Sequence, residues 1–585
     1  MQLELAKGSR ARILAILMGI IMAVFIVRLF YLQVIRNEFY VSAAQQEQLR
    51  QFVLPAKRGE IYTLDAGVPN KLVMNETVYT VFADPKIIKD PQPIIDAMRR
   101  IAGGNARPNI EKLFENKESR YQILATKVSL KQTEMLEKEN LSGVGFQRET
   151  QRVYPEGQLA AQTLGFVDGE GVGKYGLEGA LNERLTGKDG LLKTVADVRD
   201  VPLTIGKENI HQPEVNGDNL VLTIDRNVQS YTEKALADGL ERTGATHGSV
   251  MVMDPQSGEV KAMANFPTYN PGEYFKVEDP AAFNNGTVSE PYEAGSVIKT
   301  LTMATGIDKG VVEPDSTYVN TDRIQVENRT ITNATKGQTG TITYQRAMNY
   351  SLNTGFVNIA QLLGNGSYIN RQARDTIYHY FHDKFGLGKL TGIELSGEAA
   401  GIIRSPDDEN GGAVQYSTMV FGQGMNVTMV QVCAAFSSII NGGTYYSPTV
   451  VAGTVNENGV GFKKADAKES RQGVVSTETS DKVRQMVLKA RQQFYADRDT
   501  KGFFVGGKTG TSETLQDSGY VDDVTVGSYL GFGGDNTSSD GPKYVIMVRV
   551  SGKNLNLGGS TDAMPIFTDI SNWMIDYMKL QPKGE

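Results

Sequence analysis

"PYEAGSVIKTLTMATGIDKG", residues 291–310, sets Ser296 just ahead of a run of apolar, helix-compatible residues and Lys299 three positions later. Three residues is nearly one helical turn, so the hydroxyl and the amine share a face. A serine hydroxyl is a poor nucleophile at neutral pH and needs a base within reach. Taken alone, the pair equally fits a serine at a helix start beside a solvated lysine. The surrounding chain decides.

Just upstream, "GSVMVMDPQSGEVKAMANFP" (248–267) reads as two strands joined by the turn "DPQSG". Before them, "NVQSYTEKALADGLERTG" (227–244) predicts a helix of about four turns built from good helix formers. This is the opening of a sheet-and-helix domain that continues to the C-terminus. Further upstream, "YTVFAD" and "YQILATKV" read as strands, and "IIDAMRRIA" and "SLKQTEMLEKEN" as helices. "GKENIHQPEVNGD" (206–218) is a polar break before the strand "NLVLTID". The domain boundary is placed near residue 215.

At 585 residues, the chain is too long for one compact core. A net charge of -7 argues against a nucleic-acid partner. The single cysteine, Cys433 in "MVQVCAAFSSII", reads as a packed core residue. His379 and His382 in "HYFH" have no cysteine or acidic cluster to complete a metal site, so no metal and no cofactor are expected. Residues 13–35 are apolar with one charge, Arg28, long enough to cross a bilayer at about 1.5 Å per residue. Lys7, Arg10 and Arg12 precede the segment, which puts residues 1–12 in the cytoplasm and the large body outside. The rival reading is a cleaved leader ending near "VSAAQQ" (41–46). The polar "RNEFY" intervenes, and the apolar run exceeds a usual signal core.

Two further elements follow the serine: Ser351-Leu-Asn353 in "MNYSLNTGFVNIA", and Lys508-Thr509-Gly510-Thr511 in "FFVGGKTGTSET". Each alone is weak: a pattern with two fixed positions arises by chance about once in such a chain. Their order is the signal, because S-x-x-K, S-x-N and K-T-G together mark penicillin-recognising serine acyl transferases. No histidine is placed to serve as the base, so Lys299 is the candidate. Burial and the second cation, Lys508, would lower its pKa. Ser351 can relay a proton, and Asn353 can hold both Lys299 and a substrate amide. Gly510, with no side chain, would let substrate backbone lie along its strand. Thr509 and Thr511 can bind a terminal carboxylate beside Lys508.

On these motifs the chain resembles the class B penicillin-binding proteins, the monofunctional D,D-transpeptidases that cross-link peptidoglycan. "PAKRGEIYTLDAG", with Arg58 and Gly59, resembles the family's R-G-x-I element. "RVYPEGQLAAQTLGFVDGEGVGKYGLEGALNERLTGKDG", with Arg152, Tyr154, Pro155, Gly176 and Glu178, resembles its second non-catalytic motif. "FGQGMNVTMVQ", with Gly422, Gly424, Thr428 and Gln431, resembles the stretch between the second and third catalytic motifs. Ala294 departs from the family's more frequent proline before the serine.

The resemblance implies an α+β multidomain architecture: tail 1–12, a single transmembrane anchor 13–35 and an elongated mixed α/β pedestal of dimerisation type at 36–214. A transpeptidase domain at 215–585 would follow, an antiparallel sheet with helices on both sides, like the serine β-lactamases. It further implies an acyl-enzyme on Ser296, an oxyanion hole from the N–H groups of Ser296 and Thr511 worth about 3–4 kcal/mol per donor, β-lactam binding and a peptidoglycan stem ending in D-Ala-D-Ala. Partners would be a glycan polymerase of the FtsW type and other division membrane proteins. "RVYPEG" and "YEAGSVIK" lean toward the septal, FtsI-like type; the side-wall elongation type is the alternative. A β-lactamase or carboxypeptidase would leave 36–214 superfluous, and a β-lactam sensor needs more than twelve residues of tail. Arg58, Arg152 and Glu178 could present a surface to the polymerase or act as internal struts.

Overall fold

The computed structural model describes residues 2–40, 49–65, 68–195, 210–516, 519–534 and 541–582. The leader-type stretch at 41–46 and residues 206–209 of the polar break lie outside them. The chain forms two compact units, one of residues up to 58 with 186–217, the other of 59–185 with 218–585. The expected pedestal, 36–214, is therefore shared between the two.

In the first unit, the helix Gln2–Phe30 runs on into a wider turn, Tyr31–Ile35. Its stretch Arg10–Ile35, with mean hydropathy 2.8, is exposed along its length. Among the described residues it is the one helix long and apolar enough to cross a membrane. Arg28 sits over the Tyr31 ring, 5.5 Å from its centroid. The rest of the unit carries a three-stranded sheet of Leu49–Leu54, Gly190–Val195 and Ile210–Gln212. Here Arg58 donates to the Thr186 hydroxyl at 2.8 Å.

The second unit is organised by a five-stranded antiparallel sheet. Its order is Val260–Phe266, His247–Met253, Tyr544–Ser551, Gly519–Gly534 and Phe504–Gln516. Side chains alternate along a strand, so each strand feeds two cores. Val250 and Val252 face a layer that includes Leu236 and Leu240 of helix Arg226–Thr243 and Phe567 and Ile570 of helix Met564–Tyr577. Met251 and Met253 face the layer holding Leu301 and Ile307, with Cys433 fully buried within it. The expected sheet between helical layers is thus present. Helix Arg226–Thr243 begins where Asp225 accepts the N–H groups of Asn227 and Val228, and ends at left-handed Gly244.

A second sheet mixes distant segments. Asn219–Leu222 pairs antiparallel with Val451–Val455 on one side and parallel with Ile61–Asp65 on the other. It continues through Val68–Ala83 to Gln122–Ser129 and Val144–Val153. Beside it, Arg152 Nε meets Glu178 at 2.7 Å and Arg152 Nη1 meets Asn75 at 2.8 Å, with both charged side chains buried. Of the two readings for Arg152 and Glu178, this burial gives the strut.

Candidate active site

The serine opens its helix in a tighter way than a plain α-turn. Gly295–Ile298 is a 3₁₀ turn that passes directly into helix Lys299–Asp308. In a 3₁₀ turn side chains at i and i+3 eclipse, and Lys299 Nζ lies 2.9 Å from Ser296 Oγ. Gly295 allows this turn. Its φ is +61°, and a Cβ there would meet the Thr511 carbonyl at 2.7 Å. Its N–H donates to the Gly422 carbonyl at 3.1 Å, and Gly422 itself has no room for a Cβ against Gly295. The turn is thus clamped between the K-T-G strand and the "FGQG" segment.

Four oxygens surround Lys299 Nζ: Ser296 Oγ at 2.9 Å, Ser351 O at 2.7 Å, Ser351 Oγ at 3.0 Å and Asn353 Oδ1 at 2.7 Å. Ser351 reaches it with both atoms because its backbone is left-handed, φ +55°. That conformation costs a non-glycine residue roughly 1–3 kcal/mol and persists where surrounding structure enforces it. Lys508 Nζ approaches Ser351 Oγ from the other side at 2.9 Å, and also bonds the Thr509 carbonyl at 3.0 Å. Ser351 therefore bridges two lysines.

Both lysines are almost wholly buried. Burial first, and the neighbouring Lys508 cation second, push Lys299 well below a lysine's ordinary range. Burial alone brings Lys508 down to about 7. The Phe356 and Phe421 rings, with centroids 5.5 and 5.9 Å from Lys299 Nζ, would favour a cation. Desolvation outweighs them. Sequence reasoning missed both rings, although Phe421 lies inside the "FGQG" stretch.

The K-T-G residues sit on Phe504–Gln516, the edge strand of the five-stranded sheet, with Thr509 and Thr511 reaching the surface. An edge strand offers unpaired N–H and C=O groups to an incoming chain. The expected reason for Gly510 changes. A Cβ there would meet Ser528 Oγ at 2.3 Å and the Ala294 carbonyl at 2.8 Å, so the glycine lets the strand close on the serine turn. Its absent side chain would face the protein. His379 and His382 are tied to Asp383 on the turn His379–Lys384. Among the described residues no cluster could hold a metal ion.

The structure thus brings Ser296, Lys299, Ser351, Asn353 and Lys508 into one hydrogen-bonded group beside Thr509, Gly510 and Thr511. Residues 248–572 match the penicillin binding protein transpeptidase domain, and 53–222 match the penicillin-binding protein dimerisation domain. The chain is 29% identical to stage V sporulation protein D of Bacillus subtilis, over 98% of this chain and 87% of that one. It is 25% identical to peptidoglycan D,D-transpeptidase FtsI of Escherichia coli, over 95% and 89%. In fold it is similar to penicillin binding protein 2X of Streptococcus thermophilus, with a TM-score of 0.72 at 22% identity, over 91% of this chain and 80% of that one.

 With both domains matched in order and the three motifs joined in one hydrogen-bonded group, the chain belongs to the class B penicillin-binding proteins, the serine-type peptidoglycan D,D-transpeptidases.

Proposed function

We propose that Ser296 is the nucleophile and Lys299 its base. The observation that carries this is the set of four oxygens around Lys299 Nζ. Ser351 O and Asn353 Oδ1 can only accept, and they use both N–H bonds of a neutral amine. The remaining lone pair is then free for the Ser296 proton. An ammonium would have no lone pair to offer.

Ser296 Oγ attacks the carbonyl of the penultimate D-Ala of a donor stem. The C–N bond to the terminal D-Ala breaks, and the proton taken by Lys299 passes through Ser351 to the leaving amine. An amine of a neighbouring stem then attacks the ester, and Ser296 regains its proton. Lys508, Thr509 and Thr511 hold the donor's terminal carboxylate. The N–H groups of Ser296 and Thr511 stabilise the oxyanion, and the exposed side of the edge strand pairs with the stem. β-Lactams acylate the same serine.

We assign residues 36–214 to a non-catalytic pedestal and 215–585 to the transpeptidase domain. The basic residues before the apolar helix support a cytoplasmic tail and an outer catalytic body. The role is septal, with an FtsW-type glycan polymerase and other division membrane proteins as partners. "RVYPEG" and "YEAGSVIK" support this, as does the likeness to FtsI.

The test is turnover of a D-Ala-D-Ala stem mimic by the full-length chain, with and without an acceptor amine, beside labelling by a fluorescent penicillin. Cross-linked product that requires the amine supports the transpeptidase. Hydrolysis alone would replace it with a carboxypeptidase. In cells, depletion should give filaments without septa, whereas swollen round cells would assign the chain to the side wall.

A further inference from the structure

The helix that carries Asn353, Asn353–Leu362, starts without a cap of its own. Leu352 stands at the N-cap and offers no acceptor to the free N–H groups of the first turn, where a Ser, Thr, Asp or Asn ordinarily stands. The acceptor arrives from elsewhere. Two short hairpins precede the helix, Thr317–Asn320 with Gly340–Thr343 and Arg323–Val326 with Arg329–Thr332. Asn333, next after the last of these strands but one, accepts the Thr354 N–H through Oδ1 at 3.0 Å and the Thr354 hydroxyl at 3.2 Å.

Asn333 is itself held. Its amide nitrogen donates to Asn320 Oδ1 and Asp322 Oδ1, both at 3.1 Å. Asp322 also accepts the Gly337 N–H at 2.6 Å and the Asn320 amide at 3.1 Å. Asn333, Asn320 and Thr354 are all buried. The adjoining Thr332 carbonyl accepts from Asn353 Nδ2 at 2.8 Å. A carbonyl can only accept, so this contact fixes which way the Asn353 amide points and leaves Oδ1 toward Lys299.

We propose that Asn333 is a positioning residue of the acylation step: from the 317–343 hairpins it caps the Asn353 helix and holds the Asn353 amide oxygen on Lys299. The inference rests on the reading of Ser296 and Lys299 given above. Asn333 touches neither substrate nor the reacting atoms, and it acts through Thr354 and Asn353.

The test measures acylation of the full-length chain in detergent by a fluorescent penicillin, as a concentration series between roughly pH 5 and 8. Asn333→Ala should lower the limiting rate about tenfold or more, as a small misplacement of a catalytic group does, with the half-saturating concentration little changed. Asn333→Asp keeps the acceptor for Thr354 but sets a second carboxylate against Asp322. Its rate relative to wild type should fall at high pH and recover as the pH drops, because the new carboxyl, once protonated, can again donate to Asp322. An unchanged limiting rate in Asn333→Ala overturns the proposal. If that variant does not fold, a pH-independent ratio for Asn333→Asp overturns it. Label persisting on Ser296→Ala would instead overturn the reading beneath it.

Discussion

Two buried charged pairs in the same unit are built on opposite plans. Arg152 and Glu178 carry opposite charges, touch at 2.7 Å and are joined by Asn75. Lys299 and Lys508 carry like charges, do not bond each other and share Ser351 between them. Burying an ion is costly, and an opposite partner offsets much of that cost. The first pair has that partner. The second lacks one, so burial lowers the pKa of both lysines, and Lys299, beside the Lys508 cation, falls well below its ordinary range. The same burial thus favours a charged pair in one place and neutral amines in the other.

The sharpest way to break this comparison is at the nucleophile. Ser296→Ala should abolish covalent penicillin labelling while the melting midpoint stays close to wild type, since the change removes one half-exposed oxygen. Lys299→Arg should be nearly as damaging as Lys299→Ala, lowering acylation about 10²–10⁴-fold. Guanidinium keeps its proton at any working pH and cannot accept one from serine. Near wild-type acylation by the arginine variant would show that Lys299 is a strut of the first kind.

At the other pair the readout reverses. Arg152→Ala should cost about 3–5 kcal/mol of stability by removing the charge that faces buried Glu178, seen in denaturant unfolding, while the acylation rate of the folded fraction changes little. Replacing both partners together by Met and Leu should recover most of the loss. An Arg152→Ala variant of full stability that failed only in a reconstituted pair with the polymerase would return this residue to the partner surface.

The smallest effect sharpens the second plan. Lys508 has its folded pKa near 7, against 10.5 ordinarily. Between those values the unfolded chain binds a proton that the fold has released, so stability rises with pH across that window. Lys508→Met should therefore raise the melting midpoint at pH 7 by roughly 2 °C or more, with the gain fading toward pH 10.5. A variant less stable than wild type at pH 7 would mean that the Ser351 bond outweighs the burial of the amine.

Much of this arrangement was legible in local sequence. The strands at 248–253 and 260–266, the helix Arg226–Thr243 and the three short motifs each carry their signal within a few residues. What could not be read is long-range. Nothing near Asn219–Leu222 announces that it will join Ile61–Asp65 to Val451–Val455, because strand pairing depends on partners hundreds of residues apart. Asn333 gave no signal either: it belongs to no motif, and the missing cap at Leu352 is visible only once the helix boundary is known. The reason for Gly510 was misjudged because sequence shows that a side chain is absent without showing which way it would have pointed.

The contacts of Gly295 with Thr511 and Gly422, and of Gly510 with Ala294, mean that around the serine turn main chain is laid on main chain. A side chain can be exchanged for another and its neighbours repack, but a peptide group has no variants. Heritable change in what this site admits is therefore left to side chains that reach the surface, such as exposed Thr511. The main chain itself has no alternative spelling.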